Sequence, residues 1–325
     1  MKRLFLLLLL SIVVLAGCQQ IVEDVIDITI DEVIKYFEDD GRSKTKSQLT
    51  EREAKFLAKD LTELEVHYID VGQSDATLLR FTDDKKIYHI LYDAGDWNRS
   101  DLINYLKTYD ITHIDLVIAS HPHADHIGQL AQVMEHFTVD EVWASGNTST
   151  SGTFVEAMEA ISASDANYHE PRAGETYSIG PLTIDVIHPE TLTGGLNEDS
   201  LSVRFSYGSI SFLFTGDAYQ SQEKQMIKRI GNLQSTILRL GHHGSNTSSS
   251  KEFIQAVQPE IAVYSAGENN TYGHPSKETV DLIKKEKIPL YGTDKDGTIV
   301  VTTDGKAYEI ATKKDGTYSP ENISE

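Results

Sequence analysis

The chain has 325 residues, 39% of them hydrophobic and 24% charged, which is ordinary for a globular protein with room for a large core. Its 50 acidic against 29 basic residues give a formal net charge of −21, and such a surface repels polyanions unless a local basic patch intervenes. The longest basic run, "IKKEK" from Ile283 to Lys287, is broken by Glu286 and reads as a solvated helix face, so it supplies no such patch.

Residues 1–18, "MKRLFLLLLLSIVVLAGC", open with Lys2 and Arg3 and run apolar through Leu15, a stretch with the parts of a secretory signal. Cys18 is the only cysteine, so no disulfide forms within the chain. Residues 19–62 read as a spacer, helix-competent at first and then polar. From Glu63 the rhythm changes, and residues 63–325 are expected to form one domain. "LEVHYIDVG", "ATLLRF" and "KIYHILYDAG" are β-rich runs separated by turn residues. A helix over Ser100 to Tyr109, a strand over Ile114 to Ala119 and the helix "GQLAQVMEHF" follow. "EVWAS", the helix "FVEAMEAIS" and "YSIGPLTIDVIHP" precede a hairpin that turns at Tyr207–Gly208. The last third mixes the strands "TILRLG", "IAVYSAG" and "IPLYG" with helices at Lys251 to Val257 and Ser276 to Glu286, and closes on a hairpin turning at Asp304–Gly305. Two similar halves of strands and helices predict an α/β fold of stacked sheets with helices outside.

The chemistry concentrates in "ASHPHADHIG", residues 119–128, between a strand and a helix. His121 and His123 are two apart in an extended segment, so their imidazoles face the same way and suit one cation. Asp125 and His126 follow as the chain turns into the helix and reach a second cation beside the first. Imidazole nitrogen with carboxylate oxygen suits zinc, manganese or iron, and a structural zinc site would normally use several cysteines, of which this chain has one, far away in the leader.

This H-x-H-x-D-H pattern resembles the signature of the metallo-β-lactamase superfamily. "LYDAG" resembles its early strand-end aspartate, here Asp93, and "FLFTGD" the strand delivering the metal-bridging carboxylate, here Asp217. "YIDVGQSDA", "SHPHADHIG", "NEDSLSV", "FTGDA", "LGHHGSNTSS" and "YGHP" are similar to the C-terminal extracellular domain of the ComEC competence proteins and its free-standing secreted relatives, in order from about Tyr68 to Asp304. The resemblance implies an αββα sandwich of two mixed sheets flanked by helices, two divalent metal ions (Zn or Mn), and Asp70, Asp93 and Asn197 as supports behind the ligands. Separately, "LAGC" resembles the lipobox of bacterial lipoproteins. It implies that Cys18 is lipidated and that the body, net −23 without Lys2 and Arg3, is tethered to the extracytoplasmic face of a membrane.

The departures from that pattern carry information too. Ser74 replaces a glycine of the subgroup, and Asn197 stands where the superfamily has a third-motif histidine, with His188 the only histidine nearby. The competence channel's membrane-spanning helices have no counterpart after the leader. By chain order, one of His242, His243 and His274 closes the second metal site and another sits near the leaving group. Neighbours in an extended segment point to opposite faces, which favours His242 and His274 at the metals and His243 as proton donor. The expected reaction is hydrolysis by hydroxide held between two cations and oriented by Asp125. The resemblance implies a phosphodiester substrate, in nucleic acid or in an envelope polymer such as phosphorylcholine-bearing teichoic acid, and no protein partner. The alternatives are a lactam, lactone or thioester hydrolase on the same scaffold, or a non-catalytic surface lipoprotein that binds metal.

Overall fold

The computed structural model describes residues 63–314 and 317–321; the expected leader with Cys18 and the spacer at 19–62 lie outside the described residues. Strands β1 (Leu64–Tyr68), β2 (Thr77–Asp83) and β3 (Lys86–Tyr92) form an antiparallel meander. β5 (Leu116–Ala119), β7 (Glu141–Ala144) and β8 (Asn167–His169) extend it in parallel. β4 (His113–Ile114) and β6 (Thr138–Val139) pair separately as a short ribbon. A second sheet begins with antiparallel β9 (Thr176–Ile179), β10 (Leu182–His188), β11 (Ser202–Tyr207) and β12 (Ile210–Phe214). It continues in parallel through β13 (Ile237–Arg239), β14 (Ile261–Tyr264) and β15 (Leu290–Gly292). The chain then returns to the first sheet, where β16 (Ile299–Thr303) pairs with β1 and is followed by β17 (Tyr308–Lys314) and β18 (Thr317–Glu321). The resulting orders are β18-β17-β16-β1-β2-β3-β5-β7-β8 and β15-β14-β13-β12-β11-β10-β9.

The layers follow from alternation along the strands. In β3, Ile90 and Tyr92 face the second sheet while Leu91 faces helices; in β12, Phe212 and Phe214 face the first sheet while Leu213 faces helices. Helices α1 (Asp101–Thr108), α3 (Leu130–His136) and α4 (Gly152–Ala163) cover the outside of the first sheet through Leu102, Leu106, Val133 and Ile161. The short α2 (Ala124–Ile127) belongs to the histidine loop. On the other side α5 (Gln220–Arg229), α6 (Lys251–Val257) and α7 (Lys277–Lys285) cover the second sheet through Met226, Phe253 and Ile283. A last turn, α8 (Thr293–Asp296), leads into β16. The αββα sandwich and both expected hairpins are present.

Strand direction decides where function collects. β3 and β5 are parallel neighbours, as are β12, β13 and β14, so the strand ends gather at one edge of the sandwich. There Leu201 N–H donates to the Ser120 carbonyl at 2.8 Å and the Tyr92 hydroxyl donates to the Leu201 carbonyl at 2.8 Å, tying the two sheets together. Phe214 meets Tyr92 edge-on, with ring centroids 5.1 Å apart, just before the chain leaves β12 for the site. Truncating such a side chain to alanine costs about 3–5 kcal/mol.

His89 in β3 is buried away from that edge; its Nδ1–H donates to the His113 carbonyl at 3.0 Å and its Nε2 has no partner. Burial, aided by the Arg80 charge, pushes its pKa down from 6.5 to about 3. The folded protein therefore holds this ring neutral, whereas the unfolded chain takes up its proton near 6.5. Its contribution to stability is full above pH 6.5 and is lost as pH falls toward 3. In urea melts of the metal-free proteins, His89→Gln is expected to lose clearly less stability than the parent between pH 7 and pH 4; equal losses would contradict this account.

Candidate metal centre

Five loops at this edge deliver the site. The loop after β1 brings Asp75, the end of β3 brings Asp93, and the turn from β5 into α2 brings His121, His123, Asp125 and His126. The end of β12 brings Asp217, and the turn after β13 brings His242 and His243. Gly216 makes the approach possible: its φ is +54°, and a Cβ there would lie 2.9 Å from the Ser200 Cβ and 3.0 Å from that of Ser120. Asp217 N–H donates to Ser200 Oγ at 3.1 Å, which fixes the carboxylate at the seam of the two sheets.

Outer partners set which nitrogen of each histidine is free. Ser120 N–H donates to Asp93 Oδ1 at 2.7 Å and Ser120 Oγ–H to Asp93 Oδ2 at 2.9 Å. Having spent its proton, the Ser120 hydroxyl accepts from His121 Nδ1–H at 3.0 Å, which leaves His121 Nε2 with its lone pair. His126 Nδ1–H donates to Asp93 Oδ2 at 2.9 Å, and His243 Nδ1–H donates to the Ser265 carbonyl at 3.0 Å. All three rings thus turn Nε2 inward, the arrangement that carboxylate or carbonyl partners impose on metal-binding histidines.

The inward atoms form two sets around Asp217. Oδ2 of Asp217 lies 3.7 Å from His121 Nε2 and 3.5 Å from His242 Nε2, and His123 Nδ1 is 3.0 Å from His121 Nε2. Oδ1 lies 3.3 Å from His126 Nε2; Asp125 Oδ2 is 3.9 Å from that nitrogen and 3.2 Å from His243 Nε2. His126 Nε2 and Asp217 Oδ1 are buried without a well-formed hydrogen bond, as expected of atoms shaped for a cation. His121, His123 and Asp217 converge closely enough to hold one ion; His126, Asp217 and His243 form a second cluster, which Asp75 joins from the Nδ1 side of the two rings. His113, Asp115 and Asp140 also converge, but there the Lys86 ammonium lies 2.6 Å from Asp115 and neutralises it.

Electrostatics agree with cation binding. Four carboxylates, Asp75, Asp93, Asp125 and Asp217, surround the imidazoles with Arg239 as the buried counter-cation, which leaves surplus negative charge. Burial lowers the affinity of His121 and His242 for a proton, so both rings are neutral ligands at pH 7. Burial opposes charge on His126 as well, yet Asp217, Asp93 and Asp125 outweigh it and hold its pKa well above the ordinary value. For Asp217, burial favours the neutral acid, but the charge of His126 and contact with His121 keep it ionised well below the usual carboxylate range.

Three sequence expectations need correction. His242 and His243 do not sit in an extended segment: both have positive φ, +52° and +54°, in a left-handed turn, so their rings converge 6.2 Å apart instead of pointing to opposite faces. In consequence His243, only 2% exposed, lies at the inner position that chain order suggested for His274. His274 stands at the rim, its ring stacked 6.2 Å from that of His243. Asp70 is exposed and accepts the Gly72 N–H at 3.2 Å in a turn, so it supports no ligand. The buried acid of the same motif is Asp75, which sequence reasoning missed together with its partner Arg239. Asn197 donates to the Tyr219 hydroxyl at 3.0 Å, and Tyr219 packs 5.9 Å from the His242 ring. His188 is occupied with the Glu198 carbonyl at 2.7 Å, outside the ligand sets. Ser74 causes no strain, since its hydroxyl donates back to the Val71 carbonyl at 2.9 Å.

A layered sandwich carrying this histidine and aspartate cluster at its strand ends defines a class, and the family model for the metallo-beta-lactamase superfamily matches residues 69–268. The chain belongs to that superfamily, whose members are mostly metal-dependent hydrolases. Among curated proteins it is 28% identical over 256 residues to ComE operon protein 3 of Bacillus subtilis (strain 168), covering 73% of this chain and 33% of that protein. It is 29% identical over 236 residues to Competence protein ComA of Neisseria gonorrhoeae, covering 71% and 31%. The chain thus spans about a third of the length of these relatives. A solved structure, the metallo-beta-lactamase fold protein YhfI from Bacillus subtilis, aligns with a TM-score of 0.47 at 15% identity over 70% of this chain and 96% of that one.

The two ligand sets predict two ions per chain, and His121→Ala is expected to leave one, as read by elemental analysis after zinc loading. Because the second ion must displace the proton held by His126, its affinity is expected to rise with pH. Titrations in buffers of different ionisation enthalpy should show about one proton released from this ring. Proton release unchanged by His126→Ala would contradict that assignment.

Proposed function

We propose that the chain is a dinuclear metal-dependent phosphodiesterase, tethered through Cys18 to the outer face of a cytoplasmic membrane. The observation that carries the reading is Asp217, whose two oxygens face two separate sets of imidazoles, so that one carboxylate would serve both ions. His121, His123, His242 and Asp217 would hold the first ion; Asp125, His126, His243 and Asp217 would hold the second. In this reading His242 supplies the imidazole that Asn197 does not. When bound, a pair of divalent cations supplies Lewis acidity that activates water and steadies the charge gathering on a phosphoryl group.

The protein's own residues do the rest. Asp93 and Ser120 hold His121 and His126 in the metal-binding tautomer, the Ser265 carbonyl does the same for His243, and Asp125, 3.2 Å from His243 Nε2, would share the second ion with that ring and orient the attacking water. His274 faces the leaving group. Burial and the neighbouring His243 and His242 push its pKa down to about 4, so at neutral pH it is an uncharged hydrogen-bond donor. An open cavity of about 620 Å³ adjoins His274, bounded by Tyr264, Asn270, Lys284 and Lys295, and it has the volume to take the departing part of a substrate. A relative named for competence makes nucleic acid one candidate polymer. An envelope phosphodiester is the other, and a lipid anchor would hold the protein beside it.

The test is hydrolysis of bis(p-nitrophenyl) phosphate with manganese or zinc. Turnover should require added metal and fall to background in Asp217→Ala; silence with two ions bound would refute the phosphodiesterase reading. His274→Ala is expected to lower kcat about 100-fold on an alkyl phosphodiester but less than about tenfold on the p-nitrophenyl ester, whose leaving group needs no donor. Mass spectrometry of the mature N-terminus should find diacylated Cys18, and an unmodified or unprocessed N-terminus would remove the anchor.

A further inference from the structure

We propose that the buried ion pair Asp75–Arg239 is the positioning element of the second cation site, acting through His126 and His243; the proposal rests on the cluster being a metal centre. Asp75 Oδ2 lies 3.7 Å from His126 Nδ1, and Asp75 Oδ1 lies 3.6 Å from His243 Nδ1. The carboxylate therefore sits behind both rings at once, on the side away from the cation. Arg239 pairs with it from β13, and each side chain is 1% exposed. The guanidinium carbon is 5.9 Å from the ring centroids of both Tyr92 and Phe214, so apolar surface encloses the pair.

The backbone ties this pair to the ligands as well. Asp75 N–H donates to the Asp125 carbonyl at 3.0 Å, and Gly95 N–H donates to the Asp75 carbonyl at 2.8 Å. Asp93 and the Ser265 carbonyl take the two Nδ1 protons directly, each for one ring. Asp75 adds what neither supplies, a negative charge shared between the rings that strengthens both Nε2 atoms as donors to a cation. Arg239 keeps that charge in place where water cannot reach it.

Stability alone does not account for the pair. Removing two charges from water is costly, and apolar residues of similar volume commonly replace a buried pair with stability kept or raised. A positioning role separates from a structural one on that point. The double variant Asp75→Leu/Arg239→Met removes the charges together and leaves no orphan. In the full chain, titrated with cobalt(II) and followed by its visible absorption, the first equivalent should bind as in the parent. The second should bind about 10–100-fold more weakly with a shifted spectrum, while the urea midpoint of the metal-free protein is unchanged or higher. Arg239→Lys, which keeps a cation beside Asp75, should recover most of the affinity.

Parent-like binding of both equivalents by the double variant would overturn the proposal. So would a metal-free double variant markedly less stable than the parent, or a lysine variant as weak as the double. A parent protein that binds no cobalt would instead sink the metal-centre reading on which the proposal rests.

Discussion

An ionised carboxylate is costly to bury unless positive charge or hydrogen-bond donors face it, and Asp217 is buried at the seam where the two sheets meet. Much of the open edge answers that requirement. The first sheet contributes His121 and His126 to the two oxygens, and the second contributes Asp217 itself and His242. Neither sheet holds a complete set of ligands. The cross-links through Ser120, Leu201 and Tyr92 are therefore part of the site as much as of the fold, because they fix the separation across which imidazole and carboxylate face each other.

The same requirement explains how the departures at Asn197 and at the paired histidines fit together. Asn197 carries no charge; its Nδ2 donates to Tyr219, while its Oδ1 is buried without a partner. The left-handed backbone at His242 and His243 lets adjacent residues serve different halves of the cluster: His242 turns to Asp217 Oδ2, and His243 turns inward to Asp125. Gly244, with φ of +79°, continues that turn.

Much of this was legible in the sequence. The spacing of His121, His123, Asp125 and His126 encodes its own geometry, because an extended segment running into a helix fixes the directions of its side chains. The β-rich runs and their turn residues likewise gave the two sheets and both hairpins. Helix α5 was not foreseen, because "QSQEKQMIKR" lacks an apolar stripe. It docks partly through Glu223, whose carboxylate accepts the N–H groups of Ser249 and Ser250 at the start of α6. The directions of His242 and His243 are not legible in the sequence, because nothing in "LGHHGS" announces two consecutive non-glycine residues with positive φ in place of extended backbone. Asp75 and Arg239 were invisible for another reason: "YIDVGQSDA" and "TILRLG" stand out for other features, and only the packing of the two sheets brings these two charged residues together.

The strand order also governs when the protein can assemble. β1, the first strand of the domain, lies between β2 and β16, so one of its edges waits for residues 299–303. Contacts that distant in sequence make folding slow and concerted, since the loop must close before pairing rewards it. A chain emerging N-terminus first, from a ribosome or across a membrane, carries its histidine loop on an unfinished sheet until nearly all of it has arrived. The second sheet, with Asp217, lies in the intervening stretch, so a fully enclosed cation is the product of complete folding rather than a seed for it.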